Sequence, residues 1–178
     1  MSLFPLNGDD LDMVLLWRNQ ASVRKNMYTA HSISIEEHRE WFEKIKDRQD
    51  SKWLIYKEKN GIAAGVVYFT NISAITKNAF WGFYAGADAM RGVGSRMELE
   101  ALDYAFQVLG LHKLNCEIFS SNSNVIRLHE KFGFSIEGRF RDFHFDGMDY
   151  IDIVRMGILE HEWNGKRSEM ISRLARYL

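Results

Sequence analysis

From Ala79 to Gly110 the chain passes from an aromatic, strand-like segment (79–85) through the turn Arg91-Gly92-Val93-Gly94-Ser95-Arg96 into one long amphipathic run. Val93, Met97, Ala101, Leu102, Ala105, Phe106 and Leu109 recur at helical spacing on one face of that run. A strand, a glycine turn and a helix in this order aim free backbone amides and a positive dipole end at an anion. Two glycines let the backbone approach phosphate oxygens closely, because no Cβ intervenes. Arg91 and Arg96 add cationic charge at the same place. The stretch reads as a pyrophosphate cradle. A Gly-x-Gly pair before a helix also serves as a plain tight turn. Here it lacks the glycine spacing of a dinucleotide site and the Gly-Lys-Ser/Thr of a nucleoside triphosphate site.

The rest of the chain narrows the choice. With 178 residues, 46% hydrophobic and 26% charged, it has the length and balance of one globular domain. There are 23 basic and 24 acidic residues, a formal net charge of −1, so no global field draws it to nucleic acid or to an anionic membrane. The single cysteine, Cys116, excludes an intrachain disulfide and a cysteine-cluster metal site; it sits in a strand pattern and reads as a small buried hydrophobe. No metal is expected. There is no 18-residue apolar run and no basic-then-apolar leader pattern, which predicts a cytoplasmic protein.

Periodicity sets the element order. Residues 2–6 suit a short edge strand carrying Pro5, and Asn7 to Asp10 offer caps for a helix through about Asn19. A loop follows with Arg24, Met27, Tyr28 and His31, then the capping box Ser34-Ile35-Glu36-Glu37 opens a helix bearing His38, Trp41, Phe42 and Ile45 on one face. Residues 53–58 and 62–70 form a hairpin across Asn60-Gly61, and 77–85 a third strand. After the central helix, 114–119 alternates as a strand, Ser121 to Asn124 cap a short helix, and Gly133 ends it. A hairpin through Asp146-Gly147 joins 135–145 to 148–158, with a phase slip near Arg141-Asp142 that predicts a bulge. A last amphipathic helix after Asn164-Gly165 carries Met170, Ile171, Leu174, Tyr177 and Leu178. The order predicts an α+β domain over residues 1–160, a mixed, mostly antiparallel sheet flanked by helices. The remaining 161–178 would be a helical extension, packed on this domain or on a partner in a possible homodimer.

With that order, the chain resembles the GCN5-related N-acetyltransferases (GNAT). The family's Arg/Gln-x-x-Gly-x-Gly/Ala motif is matched by Arg91 to Arg96, with Arg96 in place of the usual Gly or Ala. Its second motif is matched by Asn122 followed by Leu128-His129-Glu130-Lys131-Phe132-Gly133-Phe134. The resemblance implies an acyl-CoA N-acyltransferase fold and acetyl-CoA as co-substrate. Its pyrophosphate would lie on the amides of Gly92, Val93, Gly94, Ser95 and Arg96 beside Arg91, with the Arg96 side chain turned outward or on a phosphate. The pantetheine would pair with Phe83, Tyr84 and Ala85 and accept help from Asn122. Acetyl transfer would be direct, leaving Cys116 no nucleophilic role. His129 stands where many members carry a tyrosine that protonates the departing thiolate; His⁺ can do the same, or the ring can simply fill the space. The general base stays open among His31, Glu117, Asp142, His144, Asp149 and Asp152.

Leu16-Trp17-Arg18-Asn19, the Ile35-to-Trp41 segment, Glu137-Gly138 and Met156-Gly157-Ile158 resemble one branch of the family. That branch includes the enzymes that acetylate the 4-amino group of a UDP-linked 4-amino-4,6-dideoxy sugar for pseudaminic acid synthesis, and it lies near ribosomal-protein alanine and spermidine acetyltransferases. A nucleotide-sugar acceptor calls for arginines and aromatic faces, available at Arg18, Asn19, Arg24, Tyr28, His31, Arg139, Arg141 and Phe143. A polyamine would call for clustered carboxylates, which the 19–34 loop lacks. Peptide N-terminal acetylation is the alternative enzyme reading, and a CoA-binding module without turnover the non-enzymatic one.

Overall fold

The structure, a computed structural model, describes residues 2–87 and 89–175. Seven strands form one sheet: β1 (Leu3–Pro5), β2 (Lys52–Lys57), β3 (Ala63–Ser73), β4 (Asn78–Ala85), β5 (Lys113–Phe119), β6 (Ser135–Phe145) and β7 (Tyr150–Leu159). Their spatial order is β1-β2-β3-β4-β5-β7-β6, and every pairing is antiparallel except β4 with β5. The parallel pair requires a crossover, supplied by α4 (Val93–Asp103). The other helices are α1 (Leu11–Arg18), α2 (Ala21–Arg24), α3 (Ile35–Ile45), α5 (Ser123–Phe132) and α6 (Glu160–Leu174). This is the expected α+β arrangement.

Two-residue alternation sorts the side chains to the two faces of the sheet. Ile55, Val66 and Tyr84 are register partners across β2, β3 and β4, and they pack with Val14, Trp17 and Val23 from α1 and α2. One residue along, Leu54 and Val67 turn to the opposite face. There they join Met97, Leu102, Phe106, Leu114, Met156 and Ile158 in the larger core under α4.

Local signals set most element ends. Asn7 accepts from the Asp9 amide at 2.8 Å while Asp10 accepts from the Asn7 amide at 3.1 Å, so the first helix opens through a 3-10 turn. Ser34 caps α3 by accepting from Glu37 N at 3.1 Å. The bulge expected near Arg141-Asp142 is present: register shifts between Phe140 and His144, and Asp142 takes φ +51°. The central helix widens to a π-helical turn over Tyr104–Val108, which the apolar spacing alone did not separate from α-helix.

The C-terminal helix corrects the expectation. It starts at Glu160 rather than after Asn164-Gly165, because Glu162 accepts from the Leu159 amide at 2.8 Å and begins the helix one residue past β7. The expected boundary between 160 and 161 therefore falls inside α6. Its Trp163, Met170 and Leu174 belong to the main core, with Trp163 stacked on Phe132 and donating its indole N–H to Asp103 at 3.0 Å. Tyr177 and Leu178 lie outside the described residues. Since Trp163 is 0% exposed, Trp163→Ala should cost about 3–5 kcal/mol of stability. Asn164→Ala, on the exposed side, should cost under about 0.5 kcal/mol. Chemical denaturation of the two variants measures the difference, and equal small losses would mean that α6 is not part of the core.

Candidate active site

The parallel strands β4 and β5 pair over three positions only, Asn78 with Lys113, Ala79 with Leu114 and Phe80 with Asn115. Beyond them the two strands part. From Trp81 onward β4 bonds only to β3, and from Cys116 onward β5 bonds only to β7, so the two facing backbone edges carry unpaired amide and carbonyl groups. A cavity of about 410 Å³ opens between them, lined by Trp81 to Ala87, Cys116 to Ile118, Asn122 and His129. Phe83, Tyr84, Ala85 and Asn122 are thus brought together as expected. A backbone edge that must be satisfied suits an extended ligand with amide groups of its own.

His129 sits in the last turn of α5, 3% exposed, with its ring wedged among Trp81, Phe83 and Phe134 at centroid distances of 5.2, 6.1 and 5.0 Å. Its Nδ1 lies 2.7 Å from Oε1 of Glu98, a carboxylate on α4 that is 0% exposed. Burial alone would depress the imidazole pKa. The Glu98 charge, the Cys116 thiol beside the ring and the bond to Glu98 outweigh it and push the value up to about 10. Burial also raises the Glu98 carboxyl against the opposing pull of His129. The pair therefore shares one proton across the neutral range. The sequence reading missed Glu98. Its signal was a carboxylate three and four residues before Ala101 and Leu102, on the apolar side of an amphipathic helix. Cys116 is buried, as expected, but it is more than core filling, since its thiol stands at the imidazole and on the cavity wall.

The glycine turn precedes α4 as expected. Gly92 takes φ +85°, a left-handed conformation that disfavours any side chain, and serves as the helix N-cap. Val93 N bonds to Met90 O, while Ser95 N and Arg96 N bond to Gly92 O. The amides of Gly92 and Gly94 have no backbone acceptor among the described residues. Arg91 is exposed beside them. Arg96 corrects the expectation. Its guanidinium is 5% exposed and grips Glu58 at 2.5 and 3.2 Å, so it neither turns outward nor reaches for a phosphate. Glu58 raises the Arg96 pKa through that bond. A buried cation takes a carboxylate where one is in reach.

A second cavity, about 360 Å³, adjoins the first and shares Met27, Tyr68 and Tyr84 with it. Its walls are Trp41, Trp53 and Tyr68 with Arg18, Tyr28 and His38. Arg18 donates through Nη2 to Thr29 O at 2.8 Å, but its buried Nη1 has no partner among the described residues, and neither has Trp53 Nε1 or His38 Nε2. Burial pulls the Arg18 and His38 pKa values down. Sequence reasoning placed His38 only on an apolar helix face; the cavity shows it as a polar wall.

Two expected acceptor contacts fall away. Asn19 spends its side chain on the backbone of Ile33, donating to O and accepting from N at 2.8 Å each, and so closes the loop after α1. His31 lies on the surface, 3.1 Å from Glu37, and lines neither cavity. Tyr28 remains on the wall, donating to Glu117 at 2.9 Å; burial first, then that bond, pushes its pKa up. Among the proposed bases only Glu117 lines either of these two cavities, and Arg155 holds it at 2.6 Å. Asp142, His144, Asp149 and Asp152 line neither, and Asp152 is tied to Arg139 and to the Asp142 amide.

A sequence profile described as an acetyltransferase (GNAT) domain matches residues 1–135. An acetyltransferase named PseH from Campylobacter jejuni is 30% identical over 141 residues, spanning 79% of this chain and 86% of the relative. A spermidine N(1)-acetyltransferase from Escherichia coli is 28% identical over 165 residues, spanning 92% and 88%. The chain also superposes, with a TM-score of 0.85 at 23% identity over 91% and 96% of the chains, on a Vibrio cholerae spermidine N-acetyltransferase in complex with CoA and spermine.

The Arg96–Glu58 pair predicts a split between stability and binding. Removing one partner of a buried pair costs about 3–5 kcal/mol when fully buried, and Arg96→Ala should approach the lower end. The CoA Kd of Arg96→Leu/Glu58→Gln, which removes the pair without changing net charge, should stay within about threefold. Thermal denaturation and a CoA titration of the two variants test this; a large affinity loss at unchanged stability would return Arg96 to the phosphate site.

Proposed function

The chain belongs to the GNAT acetyltransferase family and is an acetyl-CoA-dependent N-acetyltransferase, and from that premise we propose that its acceptor is the primary amine of a nucleotide-linked amino sugar. The best candidate is the 4-amino group of a UDP-4-amino-4,6-dideoxy sugar, for pseudaminic acid synthesis. The observation that carries this reading is the pair of buried donors without a partner among the described residues, Arg18 Nη1 and Trp53 Nε1, on side chains that line an aromatic cavity beside the strand cleft. Buried N–H groups call for acceptor oxygens, which a sugar or a phosphate supplies and a polyamine does not. Among the described residues Glu37 is the one carboxylate on that wall, and His31 occupies it. The cavity volume falls in the usual range of about 300–1,000 Å³ for small-molecule sites. The branch resemblance and the Campylobacter relative point the same way, whereas the spermidine acetyltransferases are about as similar in sequence.

In this reading the splayed edges of β4 and β5, with Asn122, hold the pantetheine arm. The amides of Gly92 and Gly94, with Arg91 beside them, receive the pyrophosphate. The acetyl thioester then lies near His129, with the acceptor entering past Met27, Tyr68 and Tyr84. The neutral amine nitrogen attacks the thioester carbonyl carbon, and the C–S bond breaks as the carbonyl re-forms. His129 Nε2 gives its proton to the sulfur, the amine nitrogen releases its own proton to solvent, and His129 is reprotonated from solvent. Cys116 takes no covalent part.

As an acid, His129 acts in its charged form. Its raised pKa keeps that form present at neutral pH, so kcat should fall only as pH rises through about 10. His129→Phe should lower kcat by about 10²- to 10⁴-fold. The decisive experiment follows CoA release from acetyl-CoA with the UDP-4-amino sugar, spermidine or an alanine-starting peptide. Turnover with the sugar nucleotide alone is expected. Turnover with spermidine or the peptide instead would sink the sugar assignment and leave the acetyltransferase intact. CoA binding without turnover on any of the three would count against all the acceptors named.

A further inference from the structure

We propose that Glu98 is the positioning residue of the acid, its buried carboxylate fixing the His129 ring with Nε2 turned to the cleft and stabilising the imidazolium from which the thiolate takes its proton. The inference rests on the reading of His129 as the acid. A carboxylate at 0% exposure in the apolar face of α4 is a costly occupant of a place that Leu or Met would fill without desolvation. Its described hydrogen bond is to His129 Nδ1 at 2.7 Å, and Oε2 has no partner among the described residues, so it ties no other part of the fold together. An ionised carboxylate can only accept, which places the shared hydrogen on Nδ1 and leaves Nε2 for the cavity that His129 lines.

The substituted acid explains why such a partner is needed. A phenol has one polar atom, fixed by the plane of its ring. An imidazole has two, and either a ring flip or a change of tautomer points the wrong one at the thiolate. The rings of Trp81, Phe83 and Phe134 restrain the plane of His129 without distinguishing its two nitrogens. Glu98 distinguishes them. The titratable groups facing the imidazole are Glu98 from α4 and Cys116 from β5, and the β4 side offers aromatic carbon and the Trp81 indole. Once His129 has given its proton to the sulfur, the neutral ring still donates from Nδ1 to Glu98, so the geometry survives the transfer.

The test uses the full chain with acetyl-CoA and the UDP-4-amino sugar, comparing Glu98→Gln, His129→Phe, His129→Tyr and the Glu98→Gln/His129→Tyr double variant. Glu98→Gln should lower kcat at least about tenfold while KM for acetyl-CoA stays within about threefold. It removes the charge that holds the imidazolium, so the alkaline limb of kcat should move to lower pH. In the His129→Tyr background, where a phenol needs no carboxylate, the same substitution should change kcat by less than about twofold. Nitrogen-15 NMR of the unsubstituted protein should show His129 with hydrogen on both ring nitrogens at neutral pH and on Nδ1 alone once the ring is deprotonated, a readout that does not depend on any variant folding. If His129→Phe is crippled but Glu98→Gln keeps both its rate and its pH limb, the acid reading stands and the positioning role is wrong. A harmless His129→Phe would overturn both. Finding His129 neutral with its hydrogen on Nε2 would overturn the positioning role alone.

Discussion

Three residue pairs of parallel sheet, and then a parting, decide what this molecule can hold. β4 and β5 are joined through the α4 crossover, and each keeps its outer antiparallel partner after the inner ladder ends. Backbone groups at an open edge are an obligation, because an amide or carbonyl removed from water needs a partner. The sheet leaves those groups facing a cavity of about 410 Å³ rather than another strand. The glycine turn stands at the start of the same crossover helix, and the buried His129 closes the opposite wall from α5. One interruption of one ladder thus places a backbone edge, a glycine turn and a buried imidazole around a single cleft.

Charge around that cleft is mostly spent in advance. Arg96 is held by Glu58, Arg155 by Glu117, Arg139 by Asp152 and Arg167 by Asp103. With a formal net charge of −1, no global field favours an anion, so on the proposed function the attraction of an anionic acceptor falls to groups left without a partner. Arg18 is such a group: burial lowers its pKa, one nitrogen is committed to Thr29 O, and another is free of protein partners among the described residues. An arginine already desolvated in the free protein gives up less hydration when a substrate oxygen arrives, which is how a cavity with one cation can prefer an anion.

Periodicity and turn chemistry made the frame legible, since both act over a few residues. The caps at Asn7 and Ser34, the left-handed glycines at 61, 92, 133 and 147, and the bulge at Asp142 all follow from local sterics. Long-range partners left a weaker trace. That Arg96 would meet Glu58 depends on a contact across 38 positions, and sequence spacing carries no information about it. Asn19 and His31 looked like substrate groups because polar loop residues often are, yet Ile33 and Glu37 engage them locally. The start of α6 was missed for another reason. Asn164-Gly165 is a strong turn signal, but the burial of Trp163 outweighs the roughly 1 kcal/mol that a helical glycine costs.

The buried Glu98–His129 pair shows where fold and chemistry compete. An apolar pair of similar volume would pack the space between α4 and α5 without taking two titratable groups out of water, and such replacements are often neutral or stabilising. The charged alternative is tolerable here because desolvation is met by a 2.7 Å bond and by aromatic walls that exclude competing solvent. The same low-dielectric enclosure strengthens the interaction between them, so the proton stays on the pair in the free protein and becomes available only when a stronger charge develops nearby. In the proposed reaction a departing thiolate is that charge. On that reading, the pair that costs the core its desolvation is also what keeps an imidazole charged and turned to the cleft.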